Sequence, residues 1–375
     1  MTKSIWIVGA KRTPQGRFLG ALASHSAVDL AVHAGRAALG TIDPALIDSV
    51  IVGNVLSAGL GMNIARQVAL QMGLPITTPA FTVNMMCLSG LQAVILASRE
   101  IQAGAAHMVL CGGTESMSRS PYLMHRVRTG LKFGHAELVD SLLSDGLTDP
   151  TSREHMALTA ERIAERYRIT REAQDQFALA SQQRYAQALE AGHFQNELVA
   201  LEGVLRDEQP RPDTSPQGLA KLKPTFSPTG TVTAGNASGL NDGAAMLVVC
   251  DAETGAQHGL QPLMIIPETV VVGCAPEVMG LGPVYAVRKI GRPVEDYDQI
   301  EVNEAFAAQI LGCMQELQLD EARVNPDGGA IAVGHPLGAS GARLLVHLAH
   351  RQPRLGLATL CAGGGMGGAV VLERP

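Results

Sequence analysis

The chain has 375 residues and a mass of 39.3 kDa, with 46% hydrophobic, 17% charged and 3% aromatic residues and 41 glycines. Its core must be built from Ala, Val, Leu and Gly in close contact, and the composition excludes a disordered chain, a coiled coil and a collagen-like fibre. A net charge of −6 without any dense Lys/Arg tract leaves no footprint for a phosphate backbone, so nucleic acid is not an expected partner.

In chain order, the first apolar run, from Ile5 to Ala10, is too short for a secretory h-region. It meets Lys11, Arg12 and Pro14 at once, which predicts a strand entering a loop. No stretch reaches the roughly 18 apolar residues of a membrane span. The six cysteines, at 87, 111, 250, 274, 313 and 361, form no CxxC pair and suit a reducing compartment. A soluble, cytoplasmic protein is expected.

Short β-branched runs predict strands at 50–52, 108–111, 300–302, 357–360 and 369–372, with Ala/Leu-rich helices at 90–103 and 341–350. These elements repeat. IDSVIVGN at 47–54 resembles YDQIEVNE at 297–304, Ser89-Gly90 resembles Ser340-Gly341, and Cys111 resembles Cys361, all at an offset of about 250 residues. The pattern predicts two homologous α/β halves, 1–118 and 262–375, packed in layers, with a strand at 244–252 returning to the first half.

Residues 119–243 form an insertion of different character. Charged amphipathic helices are expected at 153–167 and 171–191, the second opened by Thr170 and closed by Gly192. Five prolines between Pro210 and Pro228 then predict extended and turn conformations. Long ordered insertions are usually functional.

GGGMGG at 363–368 satisfies GxGxxG literally, but β-like residues follow and the chain ends before a crossover helix, so a dinucleotide reading is rejected. Cys87 stands in NMMCLSG immediately before a helix, where N–H groups and the macrodipole lower a thiol pKa; a small buried hydrophobe is the alternative. His335 sits on a tight turn, in GHPLGASG, ahead of another helix, and is either functional or idle. Cys361 at a strand end and Asn303 after a strand complete a set of polar groups at turns.

These residues carry a resemblance. GGTESMSRSPY at 112–122, TAGNASGLNDGA at 233–244, VNEAF at 302–306, GHPLGASG at 334–341 and CAG at 361–363 resemble the successive signatures of the thiolase family, the acetyl-CoA acyltransferases. The resemblance runs from about residue 5 to 373. It implies an αβαβα layered fold with an inserted loop domain that holds coenzyme A. Cys87 matches the acyl-accepting nucleophile, His335 the residue that activates it, and Cys361 the base that removes the α-proton of acetyl-CoA. One oxyanion hole is implied at His335 with a water held by Asn303, the other at the backbone N–H groups of Cys87 and Gly363. Leu147, His155, Met156, Arg211, Phe226, Ala234, Ser238 and Leu240 match pantetheine and adenine contacts, and Met279, Ala305 and Phe306 complete the acyl pocket.

The resemblance further implies acyl-CoA substrates without a resident cofactor or metal, and a homodimer or homotetramer. The expected reaction is the reversible interconversion of two acetyl-CoA with acetoacetyl-CoA and CoA. A broad-chain 3-ketoacyl-CoA thiolase is the alternative, and a non-catalytic acyl-CoA or lipid-binding protein the alternative of another class. Three departures stand out: Met86 and Leu88 flank Cys87 where smaller or polar residues are commoner, Gly218 replaces a serine near the coenzyme, and Asp327 occupies a turn usually filled differently.

Overall fold

The opening apolar run forms strand β1, Ile5–Arg12, two residues longer than its hydrophobic pattern, in the computed structural model, which describes residues 3–375. Helix α1, Ala27–Leu39, follows, started by a reciprocal Ser26–Asp29 capping box. Then come β2 (Ser49–Gly53), α2 (Ile64–Met72), β3 (Ala80–Val83), α3 (Ser89–Gln102) and β4 (Met108–Ser116). The chain leaves the sheet after Ser116. It passes through α4 (Met156–Tyr167) and α5 (Arg171–Glu190), then returns as β5 (Asn241–Asp251). The second half supplies β6 (Met264–Gly273), α6 (Gly282–Ile290), β7 (Gln299–Val302), α7 (Ala307–Leu317), α8 (Leu337–Arg351), β8 (Leu355–Ala362) and β9 (Met366–Glu373).

The main path through the sheet runs β7-β8-β9-β6-β1-β5-β4-β2-β3. From its centre outward the order is β1, β5, β4, β2 on one side and β6, β9, β8, β7 on the other, so the two repeats are mirrored in space. Within the sheet, among the described residues, they meet at two antiparallel residue pairs, Trp6 with Ile265 and Ile7 with Met264. Toward each edge the pairing is parallel, β4 with β2 and β2 with β3 in the first half and β8 with β7 in the second, as crossover helices require.

β2, β4, β5 and β8 are buried along their whole length, covered on both faces, which explains the apolar runs within them. α1 and α2 cover the outer face of the first half and α6 and α7 that of the second. α3 and α8 fill the middle layer, where Leu91, Val94 and Ile95 share a core with Leu344, Leu345 and Leu348. This is the layered α/β/α/β/α arrangement. α3 and α8 approach at small residues: a Cβ on Gly90 would stand 2.6 Å from the Gly338 carbonyl oxygen, and one on Gly341 2.6 Å from the Leu91 nitrogen.

The insertion packs mainly on the second half. Met156, Ala160 and Ile163 of α4 join Met279, Leu281 and Ala308 in one apolar cluster. Three local readings need correction. α4 starts at Met156 rather than 153, because His155 accepts the Ala157 N–H as an N-cap. α5 is capped at its C-terminus by Ala191, still right-handed, and the left-handed turn at Gly192 (φ +77°) falls one residue later. Within the proline-rich stretch, Pro216–Ala220 forms a short helix capped by Ser215, with proline at the first turn where no N–H is needed. Asp327 proves to be a buried junction, accepting hydrogen bonds from His193 at 2.7 Å and His347 at 3.1 Å beside Arg351 at 2.8 Å. No helix among the described residues is long and apolar enough to cross a membrane.

The α3–α8 approach predicts an asymmetric response to added methyl groups. Gly341→Ala, aimed at backbone, should lower stability by about 2–3 kcal/mol in chemical denaturation. Gly218→Ala, whose methyl meets only the Ser215 hydroxyl at 3.2 Å on the surface, should stay within about 0.5 kcal/mol. Equal effects would show that the helix crossing is not tight.

Candidate active site

Three residues, Asn84 to Met86, separate the end of β3 from Cys87, and they form a tight turn. Asn84 Oδ1 accepts the Met86 N–H at 3.1 Å, while Ser89 Oγ accepts the Met85 N–H at 2.9 Å and donates to the Met86 carbonyl at 2.6 Å. Met86 is forced into the left-handed region at φ +51°, a strained state for a residue with a Cβ. Cys87 is thereby held ahead of α3, whose N-cap is Leu88. Its sulfur faces the backbone N–H groups of Gly363 and of Cys87 itself.

The expected low thiol pKa is not found. Burial dominates and pushes the Cys87 thiol up to about 11, with the two N–H groups opposing and the Glu115 charge adding to the rise. At neutral pH the free site holds a thiol rather than a thiolate.

His335 is placed by Gly334. At φ +112° that residue needs glycine, and a Cβ there would meet the Asn241 side chain at 2.5 Å. Asn241 Oδ1 in turn accepts the His335 N–H at 2.9 Å. His335 Nδ1 lies 2.6 Å from Ser340 Oγ, and the Ser340 hydroxyl donates its one hydrogen to the Pro336 carbonyl at 2.8 Å. With the hydroxyl so oriented, Nδ1 is assigned as the protonated nitrogen, which leaves Nε2 bare as a base. Burial first, then the nearby Arg343 charge, hold the His335 pKa down to about 4.

Asn303 follows β7 and is fully buried, its Nδ2 3.5 Å from both ring nitrogens of His335. Its carboxamide oxygen has no partner in the protein. Cys361, near the end of β8, is buried, and burial followed by the proximity of Cys87 raises its thiol pKa well above the ordinary value. Gly363 lies just beyond, and a Cβ there would stand 3.2 Å from Met156 Sδ.

Cys87, His335, Cys361 and Gly363 open on one cavity of about 390 Å³. Residues 5–253 match the thiolase N-terminal domain and residues 260–374 the thiolase C-terminal domain. The chain belongs to the thiolase family. It is 50% identical to an acetyl-CoA acetyltransferase of Chromobacterium violaceum over 98% of this chain and 99% of that protein. A human mitochondrial 3-ketoacyl-CoA thiolase, solved in complex with CoA, superposes with a TM-score of 0.97 at 43% identity, covering 100% of this chain and 98% of the other. The acetyl-CoA acetyltransferase of Bacillus anthracis gives a TM-score of 0.96 at 41% identity over 99% of both chains.

The substrate contacts expected from the thiolase resemblance, from Leu147 through Phe306, all line this cavity. Asn303 is the exception among the expected site residues, lying behind His335. At the mouth Phe226 is exposed and stacks on His155, with ring centroids 4.2 Å apart, so it is not the core residue its composition alone would suggest. Arg211 reaches only the Ala234 carbonyl at 3.4 Å, which leaves its guanidinium plane open. Gly218 does not line the cavity. A more open cleft of about 700 Å³ beside α4 contains none of the expected catalytic groups.

Sequence reasoning missed Met117, Leu143, Gly146, Thr225, Thr233, Ala237, Gly239 and Leu337 as lining residues. Met117, Thr233, Ala237, Gly239 and Leu337 lie inside the quoted motifs and were available from them. Leu143 and Gly146 sit in a single π-helical stretch, Leu142–Leu147, for which the sequence carries no signal.

The raised thiol makes a testable statement about pH. The rate of Cys87 alkylation by iodoacetamide, read by peptide mass mapping, should keep rising with pH through 9, because the group is protonated below about 11. A plateau reached near pH 7 would identify a preformed thiolate instead.

Proposed function

We propose that this chain is an acetyl-CoA C-acetyltransferase that converts two acetyl-CoA to acetoacetyl-CoA and CoA, reversibly, through an acetyl-Cys87 intermediate. The observation that carries this reading is the convergence of a thiol, a neutral imidazole and a second thiol on one cavity, with the Gly363 N–H facing the first sulfur.

The protons balance with these groups alone. His335 Nε2 takes the Cys87 proton as the sulfur attacks the thioester carbonyl, and the N–H groups of Cys87 and Gly363 receive the developing oxyanion. Cys361 gives its proton to the departing CoA sulfur and becomes a thiolate. Its high pKa now makes it a strong base, able to take a methyl proton from the second acetyl-CoA. The resulting enolate oxygen is met by protonated His335 together with a water held by Asn303. The enolate carbon attacks acetyl-Cys87, the C–S bond breaks, and His335 returns its proton to the Cys87 sulfur. Thiolysis is the same path reversed.

CoA thioesters are substrates in this reading, and no metal or resident cofactor takes part. The insertion, 119–243, holds the coenzyme between the halves 1–118 and 262–375, with Arg211 laid against adenine and Phe226 and His155 against pantetheine. Six unpaired cysteines support a reducing cytoplasm. Phe81, Ile76 and Met62, exposed on and beside the edge strand β3, support a homodimer or a homotetramer. A non-catalytic carrier has no use for all four of Cys87, Asn303, His335 and Cys361.

The two cysteines are separable. Incubation with acetyl-CoA, quenching and mass mapping should place one acetyl group on the Cys87 peptide. Cys361→Ala should keep that group but lose solvent deuterium exchange into the acetyl-CoA methyl. Asn303→Ala should still acylate and slow carbon–carbon bond making and breaking about 10²-fold. Acetylation only at Cys361, or none, overturns the assignment.

Chain length distinguishes this reading from a broad-range 3-ketoacyl-CoA thiolase, which the flexible methionines Met156 and Met279 on the cavity wall would permit. In a panel of 3-ketoacyl-CoAs, acetoacetyl-CoA should exceed 3-ketodecanoyl-CoA in kcat/KM, each unaccommodated methylene costing about 1–3 kcal/mol. Met279→Ala should narrow that gap. Equal efficiency in the wild type replaces the short-chain reading with the broad one.

A further inference from the structure

The motif at 112–122 contributes Met117 to the cavity, but its glutamate takes no part in the chemistry above. Glu115 is completely buried near the end of β4, does not line the cavity, and binds four donors. Its Oε1 accepts from Asn54 Nδ2 at 2.8 Å and the Leu56 N–H at 3.1 Å. Its Oε2 accepts from the Val55 N–H at 3.1 Å and the Gly338 N–H at 2.9 Å. Three of these donors come from the loop after β2, and the fourth from the first turn of α8, in the other half of the molecule.

Each side leads directly to a reacting group. The 54–56 loop is tied to the nucleophile turn, because the Asn54 N–H donates to the Val83 carbonyl at 3.0 Å and Asn84 Nδ2 to the Val55 carbonyl at 3.2 Å. Asn84 then accepts the Met86 N–H next to Cys87. On the other side, Gly338 lies in the turn that carries Ser340, the partner of His335 Nδ1. We propose that Glu115 is a positioning residue, a carboxylate clamp that fixes the Cys87 turn in register with His335 across the junction of the two halves.

A carboxylate suits this place because four N–H groups converge on it, and it offers acceptors only. Burial still drives its pKa up to about 7 against those donors, so the group is expensive to keep in a position that contacts no substrate. A clamp whose two sides belong to different halves gives a buried carboxylate here a physical role.

Glu115→Gln keeps the shape but turns one acceptor into a donor facing donors. Asn54→Ala removes a single donor and leaves the carboxylate in place. Three readouts are needed: alkylation of Cys87 by iodoacetamide, kcat and KM for acetoacetyl-CoA thiolysis, and the thermal midpoint. Only the kinetic readout rests on the acetyltransferase reading, so alkylation tests the clamp even if the wild type turns over no 3-ketoacyl-CoA, which would sink that reading alone. With Glu115→Gln, Cys87 alkylation and kcat should both fall by about 10²-fold, the scale of an ångström of misplacement, while KM stays within about threefold. Asn54→Ala should show a smaller loss on the same two readouts. Unchanged alkylation and kcat in a folded Glu115→Gln, or in Asn54→Ala if the first variant does not fold, overturn the proposal. So does a fall in thermal midpoint accompanied only by a rise in KM, which marks a structural role.

Discussion

The close crossing of α3 and α8 is the constraint on which the site depends. Each helix follows a turn that carries a reacting side chain, Cys87 ahead of α3 and His335 ahead of α8, and the helices belong to different repeats. Contact at Gly90, Gly338 and Gly341 brings the backbones nearer than any Cβ allows, which sets the two helix starts side by side. The glycine-rich, aromatic-poor composition is a consequence. A middle layer covered by sheet on both faces has room for Ala, Val and Leu, and large rings fall elsewhere.

Burial governs the chemistry as strongly as it governs the fold. Removing water raises both thiols and lowers the imidazole, so Cys87, Cys361 and His335 all rest uncharged. An uncharged resting site admits an apolar acyl group without stranding an ion. The arrangement then makes charge only in pairs, as each proton leaves one group for another. In the proposed reaction the N–H groups of Cys87 and Gly363, which already face the sulfur, need no reorganisation when charge develops. The N–H groups around Cys87 do lower its thiol pKa, but burial raises it by more.

Much of this was legible in the sequence, for definite reasons. The repeat at an offset of about 250 residues exposed the duplication because strand ends and the residues after them carry function and keep their spacing. Strand positions were found wherever β-branched runs were dense, but β1 and β4 extend further than those runs, into Arg12 and Ser116, because long-range pairing with β5 carries them on. Ala191 and Gly192 differ by one residue because composition locates a left-handed turn but not the last right-handed residue before it. The thiol pKa was misread since the helix start is local, whereas burial is a property of everything packed around it. Leu143 and Glu115 were missed for the same reason: a lining side chain and a clamp are defined by partners far away in the chain.

The sheet register corrects the match of Cys111 with Cys361 read from the sequence: Ile51 lies opposite Cys111, whereas its repeat partner Glu301 lies opposite Ala358, so Cys361 stands where the first half has Thr114. Cys111 lies opposite Leu247, and β4 continues in register with β5 for five more residues, to Ser116 opposite Asp242. In the other half Cys361 lies opposite Gly367, and the ladder stops at the next pair, Ala362 with Met366. Cys111 therefore stays inside its ladder, packed in the core shared with α3, while Cys361, three residues further along the equivalent strand, reaches the end where Gly363 follows and the cavity begins. Extra strand length in the first half carries the chain on to Glu115 and Met117, a buried clamp and a wall. At the same level of the two strand ends one half thus presents Cys361, the proposed base, and the other Thr114 and Glu115, so two copies of one motif close around a single asymmetric site.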